Sequence, residues 1–212
     1  MQRQRIMVFS QNIKNIVLDF GGVILNIDYQ APAGYLISKG FSDFEKIYNQ
    51  ASQISLFDNL ETGKASEEDF CRFFNQHTGM PDNEIIYAWN TLILDLPAHR
   101  IEMIKHLSKK YRVFLLSNTN IIHYKVYTAM LKAQYGYNSW DELFEKAWFS
   151  FDLGMRKPDM EIYQFVQEAA SLTPSETLFI DDTIQNLNEP RVLGWNTFFL
   201  EKGKDVVEIL KP

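Results

Sequence analysis

Residues 16–28 read IVLDFGGVILNID. The run is apolar from Ile16 to Leu18, stops on the carboxylate of Asp19, and then meets Gly21 and Gly22. Such a run suits an inner strand of a parallel sheet. An aspartate at its end is either a turn residue or a reactive group held at the sheet edge, and the remainder of the chain decides between them.

Four further segments share this character: RVFLLSN (112–118), KAWFSFD (146–152), ETLFIDD (176–182) and NTFFLEK (196–202). Stretches of helical period lie between them, at about 98–109, 122–131, 158–170 and 186–193. Strands alternating with helices predict an α/β fold built on a doubly wound parallel sheet. In such sheets the ligand site lies outside the carboxyl ends of the strands, at the topological switch point. Asp19, Ser117 and the pair Asp181-Asp182 all fall where a strand hands over to a loop. The interval 29–97 differs, because it holds no convincing strand and reads as helices. Ser66 with Glu68 and Asp69 behind it marks a helix start, and Gly79 followed by Pro81 a helix stop. The expected organisation is a short N-terminal extension (1–13), an α/β core (14–28 and 98–212) and a helical insertion (29–97) standing over the strand ends like a lid.

The 212 residues, 46% hydrophobic and 23% charged, are enough for one sizeable core. A net charge of −6 builds no broad basic surface of the kind that nucleic acid or an anionic membrane requires. A phosphate-bearing small molecule stays open, since a few local donors hold one anion whatever the net charge. The single cysteine, Cys71, excludes a disulfide framework or a thiolate metal site within the chain and fits a reducing compartment. The apolar patch at 6–9 is too short for a signal-peptide core, and no later segment is long enough to span a bilayer. The expectation is a cytoplasmic protein.

Taken singly, the polar motifs have plain readings. Asp19 before two glycines is a turn; LSNTN (116–120) is a turn and a helix cap. MRKPDMEIY (155–163) is a helix start with Pro158 in its first turn, and IDDTIQN (180–186) is an N-cap with a spare acid. Together they fit phosphoryl transfer through an aspartyl-phosphate. Asp19 is then the nucleophile, a carboxylate that attacks phosphorus without prior deprotonation. Its charge repels an anionic phosphate, so the site must supply positive charge: Mg2+ held by Asp19 and Asp182, with Asp181 supporting, and the fixed cation of Lys157. The Ser117 hydroxyl and nearby backbone N–H groups give directional hydrogen bonds to the same oxygens. Gly21 can offer its carbonyl to the metal and leaves room for the phosphate.

In this order, Asp19, Ser117, Lys157 and Asp181-Asp182 resemble the four motifs of the haloacid dehalogenase (HAD) superfamily. The helical interval resembles the cap that this superfamily inserts after its first strand, and the likeness covers nearly the whole chain beyond the N-terminal extension. DFGGVILNID, LSNTN, DLGMRKPDMEIYQ and FIDD are similar to the branch of bacterial α-D-glucose-1-phosphate phosphatase-like enzymes, and more distantly to the phosphatase domain of soluble epoxide hydrolases. The resemblance implies a Rossmann-like core and a Mg2+-dependent phosphatase acting on a small phosphate ester, with Ser117, Asn118, Gly21 and Lys157 at the phosphoryl group. One position departs from it. Typical phosphatases of the superfamily carry a second aspartate, a general acid and base, two residues after the nucleophile, where this chain has Gly21. General acid–base help is typically worth about 10²–10⁴-fold. A slow phosphatase is therefore expected, or one restricted to leaving groups that need little help, such as the hemiacetal hydroxyl of a sugar 1-phosphate. His123 is a candidate to replace the missing acid, against the plainer reading of a helix-surface histidine.

Two other readings stand beside a sugar-phosphate phosphomonoesterase. A 2-haloacid dehalogenase uses the same fold without metal, with Asp19 attacking carbon; the Asp181-Asp182 pair argues against it, since two spare carboxylates repel an anionic substrate. A catalytically weak protein that binds a phosphorylated ligand is the third, with Gly21 marking lost chemistry.

Overall fold

The computed structural model of the chain describes residues 12–41, 44–53 and 55–210. The expected N-terminal extension lies outside the described residues as far as residue 11. In chain order the elements are β1 (Asn15–Leu18), α1 (Ala31–Ser38), α2 (Phe44–Gln53), α3 (Leu56–Glu61), α4 (Glu67–Thr78), α5 (Asp82–Asn90) and α6 (Ala98–Leu107). They continue with β2 (Arg112–Ser117), α7 (Ile121–Tyr135), β3 (Lys146–Phe149), α8 (Ser150–Leu153), α9 (Met160–Ala169), β4 (Thr177–Asp181), α10 (Asn188–Val192), β5 (Asn196–Phe199) and α11 (Val206–Ile209).

The five strands form one parallel sheet in the order β3-β2-β1-β4-β5. The apolar runs have no polar alternation because both faces of the sheet are covered. Ile16 and Leu18 of β1, Val113 and Leu115 of β2, and Leu178 and Ile180 of β4 share one cluster with Ile101 and Ile104 of α6 and Leu131 of α7. Val17, Phe114, Leu116 and Phe179 point the other way, onto Ile162, Tyr163 and Val166 of α9. The chain fills one side of β1 with β2 and β3, then crosses to the other side for β4 and β5. The strand order therefore reverses at β1, and the ends of β1, β2 and β4 converge there.

The expected strand at 146–152 is shorter than its apolar run. It stops at Phe149, because the Ser150 hydroxyl accepts from the Thr119 N–H at 2.9 Å and donates to the Thr119 carbonyl at 3.0 Å, and Ser150 opens α8. The 186–193 helix also divides, into a 3₁₀ turn at Ile184–Leu187 and α10.

Helices α1 to α5 bury their own cluster, including Leu36, Leu60, Phe70, Cys71, Phe74 and Ile85, which Ile122 of α7 joins from below. Ser66 caps α4 through a reciprocal pair with Asp69, and Gly79, at φ 70°, ends it. Cys71 is enclosed in this cluster, where burial pushes its thiol up to about 11. Among the described residues no helix is long and apolar enough to cross a membrane.

One polar anchor fixes the loop after β1. Arg100 of α6 is buried; it donates to the Ile24 carbonyl at 3.3 Å, to Asn26 Oδ1 at 3.0 Å, and to Asp205 Oδ2 from Nε at 3.4 Å and Nη2 at 3.3 Å. Asp205→Ala leaves that guanidinium short of its counter-ion and is expected to cost about 2 kcal/mol, less than for a fully enclosed pair because Asp205 is partly exposed. Burial acts to raise the Asp205 pKa, but His99, the Val207 N–H and Arg100 outweigh it and hold the carboxyl below its ordinary value. The stabilisation is present above the unfolded carboxylate pKa and lost as pH falls through the folded one, so the stabilities of the two proteins should converge as pH falls below the ordinary carboxylate range. Equal stability at pH 7 would contradict this.

Candidate active site

Asp19 follows the last residue of β1. Its N–H continues the ladder to the Ile180 carbonyl at 2.9 Å, so its backbone is as fixed as the strand, and its side chain stands at the open end of the sheet, 10% exposed. Leu18 pairs with Ile180, which makes Asp19 and Asp181 neighbours across the two strands. Lys157 comes from the loop between α8 and α9. Its Nζ donates to Asp19 Oδ1 at 2.6 Å and to Asp181 Oδ2 at 2.7 Å, and the side chain is 1% exposed. A charge so enclosed is tolerated because two carboxylates flank it.

Burial acts to lower the Lys157 pKa, yet Asp181 and Asp19 together hold the ammonium well above its ordinary value. For Asp19 the balance runs the other way. Burial, together with repulsion from Asp181 and Asp182, outweighs the attraction of Lys157 and pushes the carboxyl up to about 7. Asp182 is also raised, by burial and by Asp181. Oxygens of Asp19, Asp181 and Asp182 lie within 4.8 Å of one another, so three carboxylates face one ammonium. This donor set of hard oxygens with surplus negative charge suits a divalent cation such as Mg2+.

The glycines make this crowding possible. At Gly22, φ is 77° and a Cβ would lie 2.1 Å from Asp182 Oδ2, so any side chain there displaces that carboxylate. A Cβ on Gly21 would lie 3.0 Å from Ile27 Cδ1. The tip of the Ile27 side chain would have to give way to a Cβ at position 21.

Other expected site residues take more specific positions than their sequence suggests. The Asn118 side chain clasps the backbone of Lys157: its Oδ1 accepts from the Lys157 N–H at 2.9 Å and its Nδ2 donates to the Lys157 carbonyl at 2.8 Å. It therefore sets where Lys157 stands. Ser117, buried at the end of β2, makes only a long 3.4 Å contact from its hydroxyl to the Asn118 carbonyl. Asn186 is a partner that sequence reasoning missed. Its Nδ2 donates to both oxygens of Asp181, at 3.1 and 3.0 Å, while the Thr183 N–H donates to Asp181 Oδ1 at 2.8 Å. Asp181 is thus held by Lys157, Asn186 and Thr183, while Asp182 takes the Thr183 hydroxyl at 3.4 Å.

His123 is neither on a helix surface nor equipped as the missing acid. It is buried, with Nδ1 3.0 Å from Asn90 Oδ1 and its ring stacked 5.4 Å from Trp89. Burial pulls it down to about 3, which disfavours the imidazolium that an acid at neutral pH would need. His77, His99 and His106 are exposed.

Above the carboxylates opens a cavity of about 500 Å³. Asp19, Lys157, Ser117, Asn118 and Asp182 line its floor, while Tyr29, Tyr48, Phe57, Glu61, Trp89 and His123 are among its other walls. The residues expected from dispersed motifs are thus brought to one place, at the strand ends and under the helical layer.

Residues 13–188 match the family of haloacid dehalogenase-like hydrolases. The chain is 33% identical over 195 residues to the D-ribitol-5-phosphate phosphatase of Bacteroides thetaiotaomicron, across 91% of this chain and 94% of that one. The crystal structure of a HAD family enzyme from the same organism, in complex with magnesium and inorganic phosphate, superposes with a TM-score of 0.79 at 32% identity, over 91% of this chain and 96% of that chain. A HAD-like family hydrolase from Porphyromonas gingivalis superposes with a TM-score of 0.80 at 28% identity, over 95% and 99% of the two chains.

Proposed function

The chain belongs to the haloacid dehalogenase-like hydrolase family, and from that premise we propose that it is a Mg2+-dependent phosphomonoesterase acting on a small phosphorylated metabolite, a sugar or sugar-alcohol phosphate. The observation that carries this reading is the buried group of Asp19, Asp181 and Asp182 around Lys157, with its surplus of negative charge at the floor of the cavity. The phosphatase activity of the ribitol-phosphate relative and the magnesium and phosphate held by the related enzyme support it.

Asp19, Asp182 and the Gly21 carbonyl would hold the metal, with Asp181 in support; when bound, Mg2+ neutralises the carboxylates and the phosphoryl oxygens they face. Asp19 attacks phosphorus with the oxygen that Lys157 does not hold, and the bond from phosphorus to the leaving oxygen breaks. Lys157 and the Ser117 hydroxyl stabilise the charge that builds on the transferring oxygens, in a site whose dipoles are already in place. Asn118 acts through Lys157 by fixing its backbone. Water then cleaves the aspartyl-phosphate, releasing inorganic phosphate and restoring Asp19. No side chain at position 21 supplies a proton to the leaving oxygen, so it comes from solvent, and slow turnover on alkyl phosphates follows. Helices α1 to α5 act as the cap that excludes bulk water and meets the leaving group.

Phosphate release from a panel of sugar phosphates, sugar-alcohol phosphates and an aryl phosphate tests this reading. Release should require Mg2+ and stop with chelator. Release of halide from a 2-haloacid without metal, or binding of phosphate esters with no release from any of them, would overturn it.

The Gly22 geometry gives a second expectation. Gly22→Ala adds a left-handed penalty of about 1–2 kcal/mol and pushes Asp182 from its place. Mg2+ affinity should fall by about 10–100-fold, as when the support of a metal ligand is lost. Calorimetric titration with Mg2+ checks this, and unchanged affinity would contradict it.

A further inference from the structure

Among the described residues, no enclosed side-chain polar atom at the floor of the cavity lacks a hydrogen-bond partner, whereas three in one wall do. Among the described residues, the enclosed side-chain polar atoms without a hydrogen-bond partner are Glu61 Oε2, Trp89 Nε1 and Arg156 Nε. All three residues line the same cavity as Asp19. Folded proteins leave few such atoms, because each unpaired one forfeits its hydration without return. Their confinement to one cavity points to a partner that enters it.

Each of the three side chains has defined neighbours. Trp89 lies in a ladder of near-parallel rings, 5.4 Å and 13° from Phe57 on one face and 5.4 Å and 10° from His123 on the other. Arg156, next to Lys157 in sequence, reaches across to α3. Its Nη1 pairs with Asp58, and its Nη2 lies 3.0 Å from Glu61 Oε2 as a charge contact without hydrogen-bond alignment. This leaves two N–H donors and one carboxylate acceptor. A hydroxyl both donates and accepts, so a polyhydroxylated chain complements the set, whereas a hydrocarbon chain leaves all three unpaired. The charge is also decisive: Asp58, outside the cavity, pairs with Arg156, so the Glu61 carboxylate leaves this wall with surplus negative charge and disfavours a second anionic group on the substrate. The three atoms are shielded from water, so pairing them requires a side-chain movement in the wall as substrate enters.

We propose that Glu61, Trp89 and Arg156 recognise the leaving group of the substrate and select a neutral, hydroxyl-rich one, a polyol monophosphate, over an analogue ending in a carboxylate or a second phosphate. This rests on the phosphomonoesterase reading of the floor. A pentitol 5-phosphate and the matching pentonate 5-phosphate differ only at the far terminus, CH2OH against carboxylate, and serve as the probes. Wild type should favour the pentitol ester in kcat/KM by about 100-fold. Glu61→Gln, which keeps shape but removes charge, should narrow that ratio by about 10-fold. Trp89→Phe, which keeps an aromatic ring but lacks the N–H, should raise KM for the pentitol ester by about 10-fold with kcat changed less.

No preference in wild type, or the same ratio in a Glu61→Gln enzyme that hydrolyses both esters, overturns the proposal and leaves the phosphomonoesterase reading standing. If Glu61→Gln does not fold, an unchanged KM in Trp89→Phe overturns it equally. Absence of release from both esters and from an aryl phosphate overturns the underlying reading, and this one with it.

Discussion

Asp19→Asn is expected to lower kcat for phosphate release by about 10⁴-fold or more, since the amide oxygen is no nucleophile and the substitution removes the group on which the covalent step depends. Binding of phosphate ester should survive, because Lys157 and Ser117 remain. The same change should also stabilise the metal-free protein. Burial first, and Asp181 and Asp182 with it, push Asp19 up to about 7 against the pull of Lys157. Relative to an unfolded value near 3.8, the folded state prefers the protonated form. That contribution is fully present below the unfolded pKa and lost as pH rises through the folded one. Asparagine carries no such loss. In chelator, Asp19→Asn should therefore melt above wild type at pH 8, by a smaller margin at pH 5, and added Mg2+ should close the gap by binding wild type. Melting below wild type at pH 8 would contradict this electrostatic balance.

Lys157→Met is expected to damage both stability and rate. The ammonium lies 2.6 Å from Asp19 and 2.7 Å from Asp181. Without it two buried carboxylates face each other, with Asn186 and Thr183 still serving Asp181 alone. Breaking a buried pair from one side costs about 3–5 kcal/mol. Losing a preorganised charge at the transferring oxygens costs about 10²–10³-fold in kcat. Lys157→Arg should not rescue the rate. The side chain is 1% exposed, and Nζ sits 5.4 Å over the Phe179 ring in a slot shaped for a compact ammonium. Chemical denaturation and steady-state kinetics check the two effects separately. Near-wild-type turnover in Lys157→Met would remove Lys157 from the mechanism.

The parallel sheet and the positions of its carboxylates were legible because inner strands announce themselves as unbroken apolar runs, and Asp19, Ser117 and Asp181 stand where those runs end. The helical character of 29–97 was legible for the same reason, by the absence of such runs and by the Ser66 and Gly79 punctuation. What could not be read depends on which strands lie side by side. Asp19 neighbours Asp181 because β1 pairs with β4 in a register that brings Leu18 beside Ile180, and no local pattern states that register. From sequence, Asp182 ranks first with Asp181 in support; the hold of Lys157 and Asn186 on Asp181 exists only once the chain is folded. Asn118 reads as a phosphate ligand in sequence; the structure adds that its amide clasps the backbone of Lys157, 39 residues away. His123 has the spacing of an ordinary helical residue. Its burial, which disfavours its charged form, comes with Trp89 and Asn90 from a different helix. Gly21 reads as an absence in sequence; the structure adds that a Cβ there would crowd the tip of Ile27.

The most direct test of the account is a single-turnover reaction with a sugar-alcohol phosphate and Mg2+, quenched in acid before hydrolysis completes and followed by peptide mass spectrometry. The account predicts one added phosphoryl group on the peptide that contains Asp19, rising and then falling as free phosphate appears. Phosphate released with no phosphoryl group ever on Asp19, or with the group on another residue, would contradict it.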